Sequence, residues 1–243
     1  MNLECIPLKK IKWQPYQPDL SVSLHDCNIW LMNVDAYTPT LSNFEHLLTV
    51  EEQQKAAKYT KISDQIRFKL GRVMLRILLA RFLHTPPYKV PIVIGAFQKP
   101  ELNHPYKEKL HFNISHSNSR IVIAISAFPV GIDIEYISFQ NHLEEMFQIV
   151  LNSEEAAFVG RAPSVSEAFY LLWTRKEALL KALGTGLIDD LSKVPSLDGR
   201  HSANLDNLSE MQADQCLIST IRHNYLLSTC YAKGISKIVF WDY

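Results

Sequence analysis

At 243 residues the chain is long enough for one large domain or two small lobes around a shared core. Its 47% apolar and 21% charged residues exclude a disordered polymer. With Lys+Arg and Asp+Glu equal at 25 each, net charge offers no argument for nucleic acid or an anionic membrane surface, so any phosphate binding must come from local clustering.

The N-terminus does not read as a signal peptide, because Leu8-Lys9-Lys10-Ile11-Lys12-Trp13 interrupts any apolar core. The longest apolar stretch, Val73 to Leu83, is broken by Arg76 and Arg81 and is too short to span a bilayer. Cys5, Cys27, Cys216 and Cys230 show no CxxC spacing and read as scattered core thiols in a reducing cytoplasm. After a Pro-punctuated approach, Asn28 to Val34 predicts a strand and Glu51 to Lys58 a short helix. Ser63 stands as an N-cap ahead of a strong helix striped by Ile66, Leu70, Val73, Met74, Ile77 and Leu78. The basic residues on that helix, Arg67, Lys69, Arg72, Arg76 and Arg81, read mostly as a solvated face. Prolines at 86, 87, 91, 100 and 105 mark loops around a short strand at 90–94.

The centre is β-structured. Ile121, Ile123 and Ile125 alternate with Val122, Ala124 and Ser126, the period of a packed strand. Ala127-Phe128-Pro129 then turns the chain into Val130 to Ile137, expected as the antiparallel neighbour. Phe139 to Val159 predicts a helix. The pattern Ser164-x-x-Glu167 opens another, which runs to Leu183 and closes at Gly184. The tail predicts strands Cys216 to Arg222 and Tyr225 to Ala232, joined at His223-Asn224, then Ile235 to Trp241.

Three segments carry chemistry. In Val130-Gly131-Ile132-Asp133-Ile134-Glu135, strand alternation puts Gly131, Asp133 and Glu135 on one face, with the two carboxylates about 7 Å apart. Like charges at that spacing repel unless a cation lies beside them; the alternative is the solvent-facing side of an edge strand. Gly131 favours a close backbone approach. In Trp173-Thr174-Arg175-Lys176-Glu177-Ala178-Leu179-Leu180-Lys181, Lys176 falls in the apolar stripe of a helix. Glu177 lies at its border and Lys181 faces the same way as Glu177, which also describes a plain surface ion pair. In His111-Phe112-Asn113-Ile114-Ser115-His116-Ser117-Asn118, small hydroxyls, an amide and a histidine at a strand-to-loop junction suit phosphate oxygens, or simply a turn with local hydrogen bonds. No P-loop, dinucleotide fingerprint, HExxH, GxSxG or zinc spacing is present.

The ordered set FNISHS (112–117), VGIDIE (130–135) and WTRKEALLKALGTGL (173–187) resembles the 4′-phosphopantetheinyl transferase superfamily, in particular its larger single-chain, surfactin-synthetase-associated branch. The motifs cover roughly 98–187, and the helix pattern extends the likeness to about residue 50. The resemblance implies an α+β fold of two similar α/β lobes related by a pseudo-twofold, each a small antiparallel sheet packed with helices. Residues 1–126 would form the N-terminal lobe and 127–243 the C-terminal lobe carrying the metal site, with a coenzyme A cleft between. It implies Mg²⁺-dependent transfer of 4′-phosphopantetheine from coenzyme A to a serine of an apo acyl or peptidyl carrier protein, releasing adenosine 3′,5′-bisphosphate. Asp133, Glu135 and Glu177 would hold the metal. Lys181, Ser115 and His116 would contact the diphosphate region, with Lys176 assisting. Lys99-Pro100 matches the adenine-side loop, where Gln98 replaces a usual glycine. Lys55 and Arg67 align with residues gripping the 3′-phosphate, and Glu154 with an acid assigned as general base.

Hard carboxylate oxygens do suit Mg²⁺ bridging to phosphates. The nucleophile then arrives on the partner, leaving the enzyme positioning and charge neutralisation by the metal, Lys181 and His116. The proton acceptor is Glu177, Glu154 or a metal-bound water. A monomer is expected, without nucleic-acid or membrane partners. The competing readings are another Mg²⁺-dependent phosphate-ester or pyrophosphate hydrolase acting on coenzyme A or nucleotides, and a silent carrier-binding module.

Overall fold

The computed structural model describes residues 1–18, 21–138, 143–186, 188, 190–202 and 213–243. In chain order the elements are β1 (Asn2–Cys5), β2 (Gln14–Pro15), β3 (Cys27–Asn33), α1 (Val34–Tyr37), α2 (Val50–Ala57), α3 (Ile62–Leu83), β4 (Ile92–Ile94) and β5 (Pro100–Leu102). There follow β6 (His111–Ser117), β7 (Arg120–Ser126), β8 (Val130–Tyr136), α4 (Leu143–Val150), α5 (Ser153–Arg161), α6 (Val165–Leu183), β9 (Gly199–Ser202), β10 (Gln215–Arg222), β11 (Tyr225–Ala232) and β12 (Ile238–Asp242).

Local chemistry sets most of these bounds. Thr49 and Glu52 form a reciprocal capping box at the start of α2, a pair that the sequence reading passed over. Helix α3 begins one residue before Ser63, after Lys61, which offers no side-chain cap; Ser63 therefore lies in the first turn instead of capping it. Ser164 caps α6 by accepting the Glu167 N–H, and Gly184 closes it at φ +73°. His223 and Asn224, at φ 49° and 62°, make the two-residue left-handed turn that matches strand twist between β10 and β11. The single helix expected from Phe139 is two helices. Asn152 caps α5 by accepting from the Glu154 and Glu155 N–H groups, which breaks the run after Val150. Residues 139–142 of that expectation, and Leu187 of the third motif, lie outside the described residues.

Two five-stranded open sheets form, in the orders β8-β11-β10-β1-β9 and β2-β12-β3-β7-β6, beside a small β4-β5 pair. The expected hairpin between β7 and β8 is corrected. β7 pairs with β3 and β6 while β8 pairs with β11, so Ala127–Pro129 carries the chain from one sheet to the other. Burial explains the choice. Val130, Ile132 and Ile134 pack face to face with Val122 and Ala124 across the inter-sheet core instead of sharing a ladder. The chain ends cross over as well, β1 joining the β8 sheet and β12 the β3 sheet.

The layers run helix, sheet, sheet, helix. Helix α3 covers the outer face of the β3-β7 sheet through Leu70, Val73, Leu75 and Leu78, packed with Trp30, Ile121 and Ile123. Helix α6 covers the β8-β11-β10 sheet through Phe169, Leu172, Leu179 and Leu180. One long helix on one five-stranded sheet therefore occurs twice. The solvated basic face expected on α3 is also corrected, since Arg72 and Arg76 are buried. Arg76 Nε and Nη2 donate to Glu52 Oε2 at 3.2 and 3.1 Å, because α2 lies across that face. All four cysteines are buried and unpaired. Among the described residues, no helix is long and apolar enough to cross a membrane.

Candidate active site

The two sheets present edge strands, β6 and β8, side by side, and side chains join them where no backbone ladder does. Asn113, Ser115 and Ser117 alternate along one face of β6. Asn113 Oδ1 accepts the Ile132 N–H at 3.0 Å, the Ser115 hydroxyl donates to Asp133 Oδ1 at 2.8 Å, and the Ser117 hydroxyl donates to Glu135 Oε2 at 2.8 Å. The sequence grouped Asn113 and Ser117 with Ser115 as polar residues suited to phosphate oxygens, but gave neither its partner on β8. Their period-two spacing was the signal.

Helix α6 crosses β8 at Gly131. A Cβ there would stand 1.9 Å from the Ala178 carbonyl oxygen and 2.4 Å from the Ala182 nitrogen. The strand glycine is therefore where helix and strand backbones touch, as its position suggested. That contact brings Glu177 and Lys181 over Asp133. Lys181 Nζ lies 2.5 Å from Asp133 Oδ1 and 3.2 Å from the Ser115 hydroxyl.

A cleft of about 460 Å³ opens at this seam. Asp133, Glu135, Glu177 and Lys181 line it together with Ser115, His116, Lys55 and Arg67. Pro100 joins it to a neighbouring cavity of about 270 Å³ that also takes in Lys99 and Phe97. Lys99 Nζ donates to the Lys181 carbonyl at 2.7 Å. Just ahead of it, Phe97 and Gln98 both sit in the left-handed region at φ 53° and 59°, the conformation for which glycine would be the easy choice.

Burial dominates the electrostatics, with the crowding of carboxylates adding to it. Burial, and then the charge of Asp133, push the Glu135 carboxyl up to about 7. Burial also raises Glu177, with Lys181 opposing and Asp133 adding. His116 presents much of its surface to solvent, yet the protein crowding its inner side, followed by the Arg67 charge, holds it below its ordinary value. Burial likewise lowers Lys99. A stability signature follows for metal-free protein. Glu135 holds its proton to higher pH folded than unfolded, so its contribution is full below the ordinary 4.5 and is lost as pH rises through about 7. Glu135→Gln is expected to flatten that decline in thermal melts from pH 5 to 8 with chelator; an unchanged slope would contradict it.

Two expected site residues stand apart. Glu154 is exposed in the first turn of α5 and does not line the cleft. Lys176 is fully buried, and its Nζ donates to Glu155 Oε2 at 2.7 Å and to the Leu191 and Val194 carbonyls at 2.9 and 2.7 Å. Glu155, the acid one residue beyond Glu154, also accepts the Ser196 hydroxyl at 2.6 Å and the Asn152 N–H at 3.0 Å. Every proton of the ammonium is satisfied, so the pair locks α5 and the 191–196 segment to α6. Lys176→Met leaves a buried carboxylate without its cation and is expected to cost about 3–5 kcal/mol by urea unfolding. A loss under about 1 kcal/mol would show that the pair does not act as this lock.

Among the described residues, no three His, Cys, Asp or Glu side chains stand in a ready-made ligating group. The donor set nevertheless suits a hard divalent cation. Asp133 Oδ2 and Glu177 Oε1 are buried oxygens without a hydrogen-bond partner, beside the proton-retaining Glu135.

Residues 129–230 match the family model of the 4′-phosphopantetheinyl transferase superfamily, and residues 35–127 match that of the 4′-phosphopantetheinyl transferase N-terminal region. The chain is 31% identical over 169 residues to slr0495 of Synechocystis, a candidate 4′-phosphopantetheinyl transferase, covering 68% of each chain. It is 36% identical over 139 residues to the 4′-phosphopantetheinyl transferase gsp of Aneurinibacillus migulanus, covering 56% of each. To the 4′-phosphopantetheinyl transferase Sfp of Bacillus subtilis it is 27% identical over 195 residues, covering 78% of this chain and 84% of Sfp.

Proposed function

The chain belongs to the 4′-phosphopantetheinyl transferase superfamily, and on that premise we propose that it moves 4′-phosphopantetheine from coenzyme A to a serine hydroxyl of an apo acyl or peptidyl carrier protein. The observation that carries this reading is the meeting of Asp133, Glu135, Glu177 and Lys181 with Ser115 and His116 in one cleft at the β6–β8 seam. Both halves of the chain contribute lining residues. Lys55, Arg67, Ser115 and His116 come from residues 1–126, and the three acids and Lys181 from 127–243, which supports two lobes with coenzyme A between them.

The serine oxygen forms a bond to the β-phosphorus, and the bond from that phosphorus to the bridging oxygen breaks. Adenosine 3′,5′-bisphosphate leaves with the electron pair. Lys181 and His116 border the position where negative charge grows on the diphosphate, and Lys181, already seated between Asp133 and Ser115, is held for that task. The serine proton needs an acceptor. Glu177 lies in the cleft and Glu154 does not, and the raised basicity of Glu177 suits it to the role. Asp133, Glu135 and Glu177 would hold Mg²⁺ through their unshared oxygens. When bound, that ion supplies charge neutralisation for the diphosphate.

Four buried, unpaired thiols fit a reducing cytoplasm, and one chain supplying lining residues from both of its halves fits a monomer. Intact-mass analysis of an apo carrier incubated with the protein, coenzyme A and Mg²⁺ tests the reading. The carrier gains one phosphopantetheine group. An unmodified carrier with free phosphopantetheine in solution would make the protein a hydrolase instead.

A further inference from the structure

Beneath α6, a polar row crosses the face of the β8-β11-β10 sheet. Ser219, Ser228 and Asp133 stand directly opposite one another on β10, β11 and β8, with Leu217 and Cys230 to one side and Ile221 and Leu226 to the other. Ser219 and Ser228 are fully buried, as are Thr174 and Arg175 of the helix above them, and none of the four lines the cleft. They form one chain. Arg175 Nε donates to the Ser219 hydroxyl at 3.2 Å, and the Ser219 and Ser228 hydroxyls lie 2.8 Å apart. The Ser228 and Thr174 hydroxyls also lie 2.8 Å apart, and Thr174 donates to the Leu171 carbonyl at 3.3 Å. Arg175 can only donate and the carbonyl can only accept, so every hydroxyl proton runs one way, from Arg175 toward Leu171. The head of the chain is fixed in turn, because Arg175 donates to the Ser196 and Ile6 carbonyls at 2.7 and 2.8 Å and to Asp198 at 2.7 Å.

Buried hydroxyls cost free energy unless bonded, and threonine is a weak helix former, so the helix itself gains nothing from Thr174. What the chain adds is direction. Apolar packing lets a helix slide over a sheet, whereas a hydrogen bond of this length fixes it along and across the strands. Thr174 rests on Ser228, and Ala178, roughly 6 Å further along the helix axis, rests on Gly131. Glu177 lies between those two helix points, and Asp133 lies opposite Ser228 and two residues from Gly131. We propose that Thr174 is a positioning residue, whose bond to Ser228 sets the slide and rotation of α6 and so places Glu177 and Lys181 over Asp133. Its importance for transfer rests on the function proposed above; its hold on Glu177 does not.

The test compares Thr174→Val, which keeps the shape and removes the hydroxyl, with Thr174→Ser and Ser228→Ala, each at a temperature where circular dichroism shows it folded. Mn²⁺ affinity is read by electron paramagnetic resonance on protein saturated with coenzyme A, and kcat by carrier modification. Thr174→Val and Ser228→Ala should each weaken ion binding about 10-fold and lower kcat about 10- to 100-fold. Coenzyme A binding measured without metal should stay near wild type, because Lys55, Arg67 and His116 come from elsewhere in the fold. Thr174→Ser should restore both losses, and the Thr174→Val/Ser228→Ala double variant should be no worse than either single one. Wild-type ion affinity and kcat in folded Thr174→Val would overturn the proposal. So would Thr174→Ser as impaired as Thr174→Val, or losses that add in the double variant. Should Thr174→Val fail to fold, Ser228→Ala against wild type decides by the same two readouts. An unmodified carrier with wild-type protein would end the transferase reading alone, since ion affinity still tests Thr174.

Discussion

Glu177→Gln is expected to lower carrier modification by at least about 1000-fold, roughly 4 kcal/mol of transition-state stabilisation, without loss of fold. Its Oε1 is buried without a partner and its carboxyl is raised by burial. The charge is therefore a cost to the folded protein, tolerated for what it does in the cleft, and a neutral amide of the same shape removes that cost. The variant should melt at or above the wild-type temperature while transferring nothing measurable. Asp133→Asn should behave differently. Asp133 Oδ1 accepts from both Lys181 and Ser115, so the change leaves Lys181 without its counter-charge and should lower stability as well as activity. Full transfer by Glu177→Gln at saturating Mg²⁺ would remove Glu177 from both of its proposed roles.

Gly131→Ala is the second large effect. The new methyl would stand 1.9 Å from the Ala178 oxygen and 3.0 Å from the Ala182 Cα, both backbone atoms of a packed helix. Ordinary contact lies at about 3.4 Å, so α6 must withdraw by more than an ångström or tilt. Overpacking of this kind costs about 1–3 kcal/mol. The functional loss should be larger in proportion, because the same movement carries Glu177 and Lys181 away from Asp133, and misplacement by about 1 Å costs on the order of 100-fold in rate. Urea unfolding and kcat/KM for coenzyme A, measured side by side, check both halves. A variant with wild-type stability and wild-type kcat/KM would mean that α6 does not rest on β8 at this residue.

The β8 face was legible because strand alternation is strict: one face holds Val130, Ile132 and Ile134 against the opposite sheet, and the other offers Gly131, Asp133 and Glu135 to α6. Bounds of α6 were legible from Ser164 and Gly184, whose cap chemistry is local. Partnership between distant segments was not. Nothing near Lys176 in sequence says that Glu155 awaits it, although Asn152-x-x-Glu155 is itself a capping pattern. The acid read as functional, Glu154, is its exposed neighbour. Arg72 and Arg76 were assigned to solvent because a helix pattern alone cannot show that α2 brings Glu52 across that face. The β7–β8 hairpin failed for a related reason. A short turn between two apolar strands fits a shared ladder or a crossing between stacked sheets equally well, and only the burial of both β8 faces decides between them.

The central claim is that carboxylates from β8 and α6 act together on one divalent cation beside a diphosphate. Titration of Mn²⁺, standing in for Mg²⁺, into protein saturated with coenzyme A and read by electron paramagnetic resonance tests it most directly. One tightly held ion per chain is expected in wild-type protein, and none in Asp133→Ala or Glu177→Gln. Undiminished ion binding in both variants, with coenzyme A still bound, would contradict it.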